Sequence, residues 1–192
     1  MAISLNGGTG VITGVSVGGL PDGIVDSDML AAGAVTAAKR GAGAILQFKS
    51  AEYTTRTSVT TVIPFDDTVP QNTEGTEILT LDITPKSTSN KLVIEFFMPV
   101  WDGSTVIVGG AALFQDSTAD ALAAAFLINS TATYSQQLGL IHIMDAGTTS
   151  STTFKIRVGP HNGSMFLNRR QDANYYGSTT LHTTLRVTEI AA

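Results

Sequence analysis

Ten of the first 43 residues are glycine (Gly7, Gly8, Gly10, Gly14, Gly18, Gly19, Gly23, Gly33, Gly41 and Gly43), and no aromatic residue precedes Phe48. A segment with so few large side chains cannot enclose a core of its own. Yet it is not polar, because Ile3, Leu5, Val11, Ile12, Leu20, Ile24, Met29 and Leu30 punctuate it. Small but apolar, it must pack against something, either copies of itself or a socket on another protein. A self-contained fold must therefore be built downstream.

Within this segment, DSDMLAAGAVTAAKRG carries helix punctuation. Asp26 or Ser27 suits the N-cap, Lys39 and Arg40 suit the negative end of the dipole, and Gly41 suits the residue past the end. Leu30, Ala34 and Ala38 are four apart and share a narrow face, with Met29 beside them. Gly33 weakens this helix by about 1 kcal/mol relative to alanine. The expectation is an attachment segment over 1–25, anchored by Ile3, Leu5, Val11, Ile12 and Leu20, then a short helical stalk over 26–44. GGTGVITG superficially matches phosphate-binding loops. It follows no credible strand, lacks the closing GK[ST] and spaces its glycines wrongly, so it reads as flexible backbone that fits a socket.

From Ile45 onward the periodicity becomes two. Leu79, Leu81 and Ile83 alternate with Thr80 and Asp82, Phe154, Ile156 and Val158 with Lys155 and Arg157, and Leu185 and Val187 with Arg186 and Thr188. KLVIEFFMPV (91–100) is apolar on both faces apart from Glu95, as a central strand covered by a second sheet or by a neighbour would be. Turn residues separate the runs at Pro64 to Asp67, Pro85 to Asn90, Asp102-Gly103, Asp145 to Gly147 and Gly159 to Gly163. This predicts eight to ten strands in an all-β antiparallel sandwich over 45–192. TADALAAAFLI (118–128) fits either a strand or a short helix.

Charged residues make up 14% of the chain, against roughly 25% in ordinary soluble proteins. A surface so poor in charge is read as one that oligomer contacts cover. The net charge of −5 argues against a nucleic-acid partner, since the only basic pairs are Lys39-Arg40 and Arg169-Arg170. Without cysteine, disulfides and thiolate metal sites are excluded. No apolar run is long enough for a spanning helix, so no membrane insertion is expected. The N-terminus lacks a basic n-region, which fits synthesis in a host cytoplasm and release by lysis.

Little here resembles a catalytic centre. His142, His161 and His182 lack ligand spacing, although His182 is a conceivable ligand on a threefold axis; no metal or cofactor is expected. Asp66, Asp67, Glu74, Glu77, Asp82 and Glu95 are scattered, whereas glycoside hydrolysis needs a matched carboxylate pair. The candidates for contact with a host receptor are loop residues of the types binding surfaces favour: Trp101, Asp102 and Ser104, then Arg169, Arg170, Tyr175 and Tyr176.

The text LNGGTGVITGVSVGGLPDGIVDSDMLAAGAVTAAK resembles the starts of tailed-bacteriophage tail-fibre and related virion proteins, where it joins an attachment segment to a stalk. ILQFKSAEY, LDITPKSTSNKLVIEF, STTFKIRV, MFLNR and LRVTEI resemble the C-terminal β domain of such fibres, with Asn90 where serine is commoner. The resemblance covers nearly the whole chain. It implies a homotrimeric jelly-roll-like knob on the exterior of a phage particle, held by another virion protein and adhering to a host glycan or protein. A cysteine-free, threonine-rich β chain agrees, because symmetric assembly closes strand edges. Two rivals stand beside this tail fibre. One is a head fibre or capsid decoration protein, kept open by the shortness of the chain; the other is a small glycan-cleaving spike.

Overall fold

The structure, a computed structural model, describes residues 4–6, 11–13, 35–36, 39–102, 107–129, 135–169, 176 and 180–192. The chain divides into two units, Met1–Arg40 and Gly41–Ala192. In the first, β1 (Ser4–Asn6) pairs antiparallel with β2 (Val11–Thr13), placing Leu5 opposite Ile12 and Asn6 opposite Val11. A strand therefore does precede Gly7, which corrects the reading of this stretch as flexible backbone only. The β-branched run Val11-Ile12-Thr13 has the propensity for such a ladder. Ile3, Leu20 and the stalk residues Met29, Leu30, Ala34 and Ala38 lie outside the described residues.

The second unit holds β3 (Ile45–Tyr53), β4 (Thr57–Val59), β5 (Thr76–Ile83), β6 (Lys91–Asp102), β7 (Ile107–Gln115), β8 (Ala123–Asn129), β9 (Ser135–Asp145), β10 (Thr152–Pro160), β11 (Met165–Leu167) and β12 (Thr183–Ile190). No α-helix occurs among the described residues. The ambiguous stretch 118–128 resolves into a turn and then β8. Ala123, Ala125 and Leu127 face the core there, while Phe126 and Ile128 point outward. Period two wins over helix propensity because β7 offers the alanines a full ladder.

All pairings are antiparallel and form two sheets. One runs β5-β10-β7-β8; the other runs β3-β12-β6-β11-β4, with β9 on the free side of β6. The chain passes repeatedly between sheets, and the eight long strands take the order of a jelly roll. Between the sheets lie Leu92, Ile94, Phe96 and Met98 of β6, Phe154 and Ile156 of β10, Leu113 of β7 and Leu185 and Val187 of β12, all fully buried. The ladder of β3 and β12 extends past both strands: Gly43 N–H donates to Ala191 O and Ala191 N–H to Ala44 O, each at 2.9 Å. Gly41–Ala44, assigned to the stalk on sequence grounds, thus belongs to the β unit.

Two polar devices hold the connections. Glu189 is fully buried and accepts from Asn90 Nδ2 and Gln47 Nε2, both at 2.5 Å, and from Lys86 N–H at 2.7 Å. It thereby pins the β5–β6 turn. Buried Asn168 takes a left-handed φ of 56°, which asparagine tolerates. Its Nδ2 donates to Tyr53 O and Thr55 O, and its Oδ1 accepts from the Thr183 hydroxyl.

Residues 60–75 form a loop laid over the outer face of the four-stranded sheet. Ile63 N–H donates to Pro160 O (3.1 Å), Asn72 N–H to Ala119 O (2.8 Å) and Gly75 N–H to Val62 O (2.9 Å). Gly159 makes this seat possible. A Cβ there would stand 2.3 Å from Thr61 O and 3.0 Å from Ile63 N, and neither backbone atom can swing aside. Gly159→Ala is therefore expected to lift the loop and cost about 2–4 kcal/mol. By thermal unfolding this is a Tm drop of roughly 5–15 °C; an unchanged Tm would mean the loop is not seated on β10.

Candidate functional site: an uncovered sheet face

An antiparallel sheet with one face on the core normally shows polar residues on the other. The six-stranded sheet departs from that rule. Register places Phe48, Thr188, Val93 and Ile143 in one row across β3, β12, β6 and β9. The next row is Ser50, Arg186, Glu95 and Ile141, and the third is Glu52, Thr184, Phe97 and Gly139. All lie on the side away from the core. Phe48 is 54% exposed, and Ile141 and Ile143 are each 61% exposed; Val93 and Phe97 are half-buried. Gly139 completes the surface. A Cβ there would come within 3.2 Å of the Phe97 ring, so the missing side chain lets that ring lie across β9. Arg186 and Glu95 stand opposite each other in the middle of the apolar rows.

Among the described residues no group of three or more His, Asp or Glu side chains is placed to hold a metal. His142 lies on the core side of β9, opposite Ile94. His182 Nε2 is 3.7 Å from Glu52 Oε1 at the partly exposed end of the sheet. His161 Nδ1 accepts the N–H of Phe65 at 3.1 Å. Among the described residues no helix is long and apolar enough to cross a membrane.

Trp101 and Asp102 end β6, opposite Phe166 and Met165 of β11, and Ser104 lies outside the described residues. The Arg169 guanidinium sits 5.7 Å from the centre of the Phe166 ring. Tyr176 is exposed with a φ of 54°; Arg170 and Tyr175 lie outside the described residues. Of the anchoring residues, Leu5, Val11 and Ile12 share the β1–β2 ladder. The residues missed by the sequence reading are Phe48, Phe97, Ile141 and Ile143. Their signal was present: IHIM puts two isoleucines on the face opposite His142, beside a β6 that is apolar on both sides.

No family model and no curated protein matches the chain. Solved structures of similar course include the globular domain of zebrafish complement 1qA protein, at 10% identity and a TM-score of 0.35 over 74% of this chain and 94% of that one. Murine APRIL is similar at 11% identity and a TM-score of 0.32, over 70% of this chain and 99% of that one. The enzymatically active domain of tailspike protein 4 from bacteriophage CBA120 is similar at 12% identity and a TM-score of 0.24, over 62% of this chain but only 18% of that one. At these scores the likeness carries no functional meaning.

Proposed function

We propose that the chain is a non-catalytic structural protein of a phage particle: a short homotrimeric tail fibre whose β head faces outward and adheres to the host surface. Residues 1–25 would be held by another virion protein. The observation that carries this reading is the apolar outer face of the six-stranded sheet. Burial of a large apolar side chain contributes roughly 1.5–3 kcal/mol. Phe48, Ile141 and Ile143 of each copy therefore favour association with further copies. Arg186 beside Glu95 supplies opposite charges that fix how the copies meet. Closed symmetry uses this face up and leaves no open edge of it for further growth. The resemblance of the first forty residues to virion fibres supports a particle as the setting.

Sedimentation equilibrium tests the assembly, with a single species near three times 20.0 kDa expected. A clean monomer at micromolar concentration would remove the basis of the proposal. Antibody labelling of intact particles tests the setting; labelling of the tail is expected, and no labelling anywhere on the particle overturns it.

A further inference from the structure

On the opposite sheet the 60–75 loop leaves part of β7 and β8 uncovered, and a groove of about 210 Å³ opens there. Its floor is made of small residues, including Gly109, Gly110 and Ala124. Phe65 and Phe126 pack against each other along it, their ring centres 4.9 Å apart and tilted by 57°. Phe65 is 46% exposed and Phe126 is 62% exposed. The two rings touch each other and form one aromatic wall, open to water, beside a floor of glycine and alanine.

The rim is polar and held in place. His161 Nδ1 accepts the Phe65 N–H, so that nitrogen carries no proton and the neutral ring has its N–H on Nε2. Asp66 Oδ1 accepts from Thr68 N–H at 2.9 Å and from the Thr68 hydroxyl at 2.5 Å. Those two bonds, the hydroxyl first, hold its carboxyl below the usual carboxylate range, so it is ionised at neutral pH. The rim therefore presents a fixed acceptor and a fixed donor beside aromatic faces. No lysine or arginine lines the groove or the trough that adjoins it, whereas Asp66 and Asp67 do. That charge repels carboxylated or phosphorylated ligands.

We propose that this groove binds one non-acidic hexopyranose unit of a surface glycan. The apolar C–H face of the sugar lies on Phe126, one hydroxyl donates to Asp66, and a neighbouring hydroxyl accepts from His161 Nε2–H. A sugar matches this rim because vicinal hydroxyls supply donor and acceptor side by side. The groove is smaller than the roughly 300–1,000 Å³ typical of pockets for drug-sized ligands, which fits a single ring. The proposal rests on the adhesive reading above and names its ligand class.

The test is amide NMR on the full-length chain titrated with the methyl glycosides of glucose, galactose, glucosamine and glucuronic acid. A single ring of about a dozen heavy atoms gives half-saturation on the order of 1–10 mM. Shifts are expected at Phe65, Asp66, Phe126 and His161 with at least one non-acidic glycoside, and at least fivefold weaker binding of the glucuronide. Phe126→Ala is expected to weaken binding at least tenfold and Asp66→Asn at least threefold, with amide shifts elsewhere unchanged. No response to any non-acidic glycoside at 50 mM, or equal binding of the glucuronide, overturns the assignment. So does a fall in native mass on Phe126→Ala, which would mean that a second copy covers the groove. Adhesion to host cells by a chain with a silent groove overturns this site alone. A responsive groove on a chain that does not adhere overturns the adhesive reading instead.

Discussion

Replacing Ile141 and Ile143 together by aspartate is expected to yield a folded species of 20.0 kDa in place of one three times that mass. Both side chains point away from the core, so the packing between the two sheets is left intact. In the assembly each aspartate would be a carboxylate without a partner in an apolar contact, at a cost of about 3 kcal/mol or more. That is about a hundredfold per site in the association constant. Sedimentation equilibrium reads the mass, and far-ultraviolet dichroism reads the fold. An intact trimer would show that a different surface holds the copies together.

Glu189→Leu is expected to destabilise the β unit itself by about 4 kcal/mol, since it strips the acceptor from Asn90 Nδ2 and Lys86 N–H in a buried place. The corresponding Tm loss is roughly 8–16 °C. The same carboxylate gives acid sensitivity. Burial raises its pKa, but the bonds from Asn90, Gln47 and the backbone at Lys86 and Ser87 outweigh burial and hold it below the usual carboxylate range. With the folded value below the unfolded one, the unfolded chain binds more protons as the pH falls. The stabilisation is therefore complete above the unfolded value and lost as the pH drops through the folded one. Thermal melts from pH 7 to pH 3 should show a steeper decline for the parent than for Glu189→Gln. Parallel curves would mean that Glu189 makes no net contribution through its charge.

The architecture was largely legible because period-two alternation is a local signal. Leu79, Leu81 and Ile83 turn inward as expected, as do Phe154, Ile156 and Val158. The alanines of 121–125 were not decisive, since nothing local says whether a neighbouring strand will take them; β7 does. The strand before Gly7 was missed because three residues carry almost no periodicity. At the candidate sites the failure was different in kind. The double-faced apolarity of β6 was visible and pointed to a cover, but its partners on β3 and β9 come from register, which joins Phe48, Val93 and Ile143 across about a hundred positions of sequence. The Phe65–Phe126 contact likewise depends on a loop crossing a sheet. Around the loops favoured on residue type, Phe166 of β11 stands opposite Trp101 in the ladder and 5.7 Å from the Arg169 guanidinium, a link that only register and a turn create.

The backbone bonds between Gly43 or Ala44 and Ala191 place the entry of the β unit beside the end of β12. Any tug arriving through residue 40 is therefore delivered to β3, which lies at the margin of its sheet with β12 as its ladder partner. A pull directed along that strand strains the rungs from Ile45 to Tyr53 in parallel, so they resist together. A sideways pull opens them one after another, beginning at Gly43. The direction of a pull arriving at residue 40 thus sets how much force the β unit withstands.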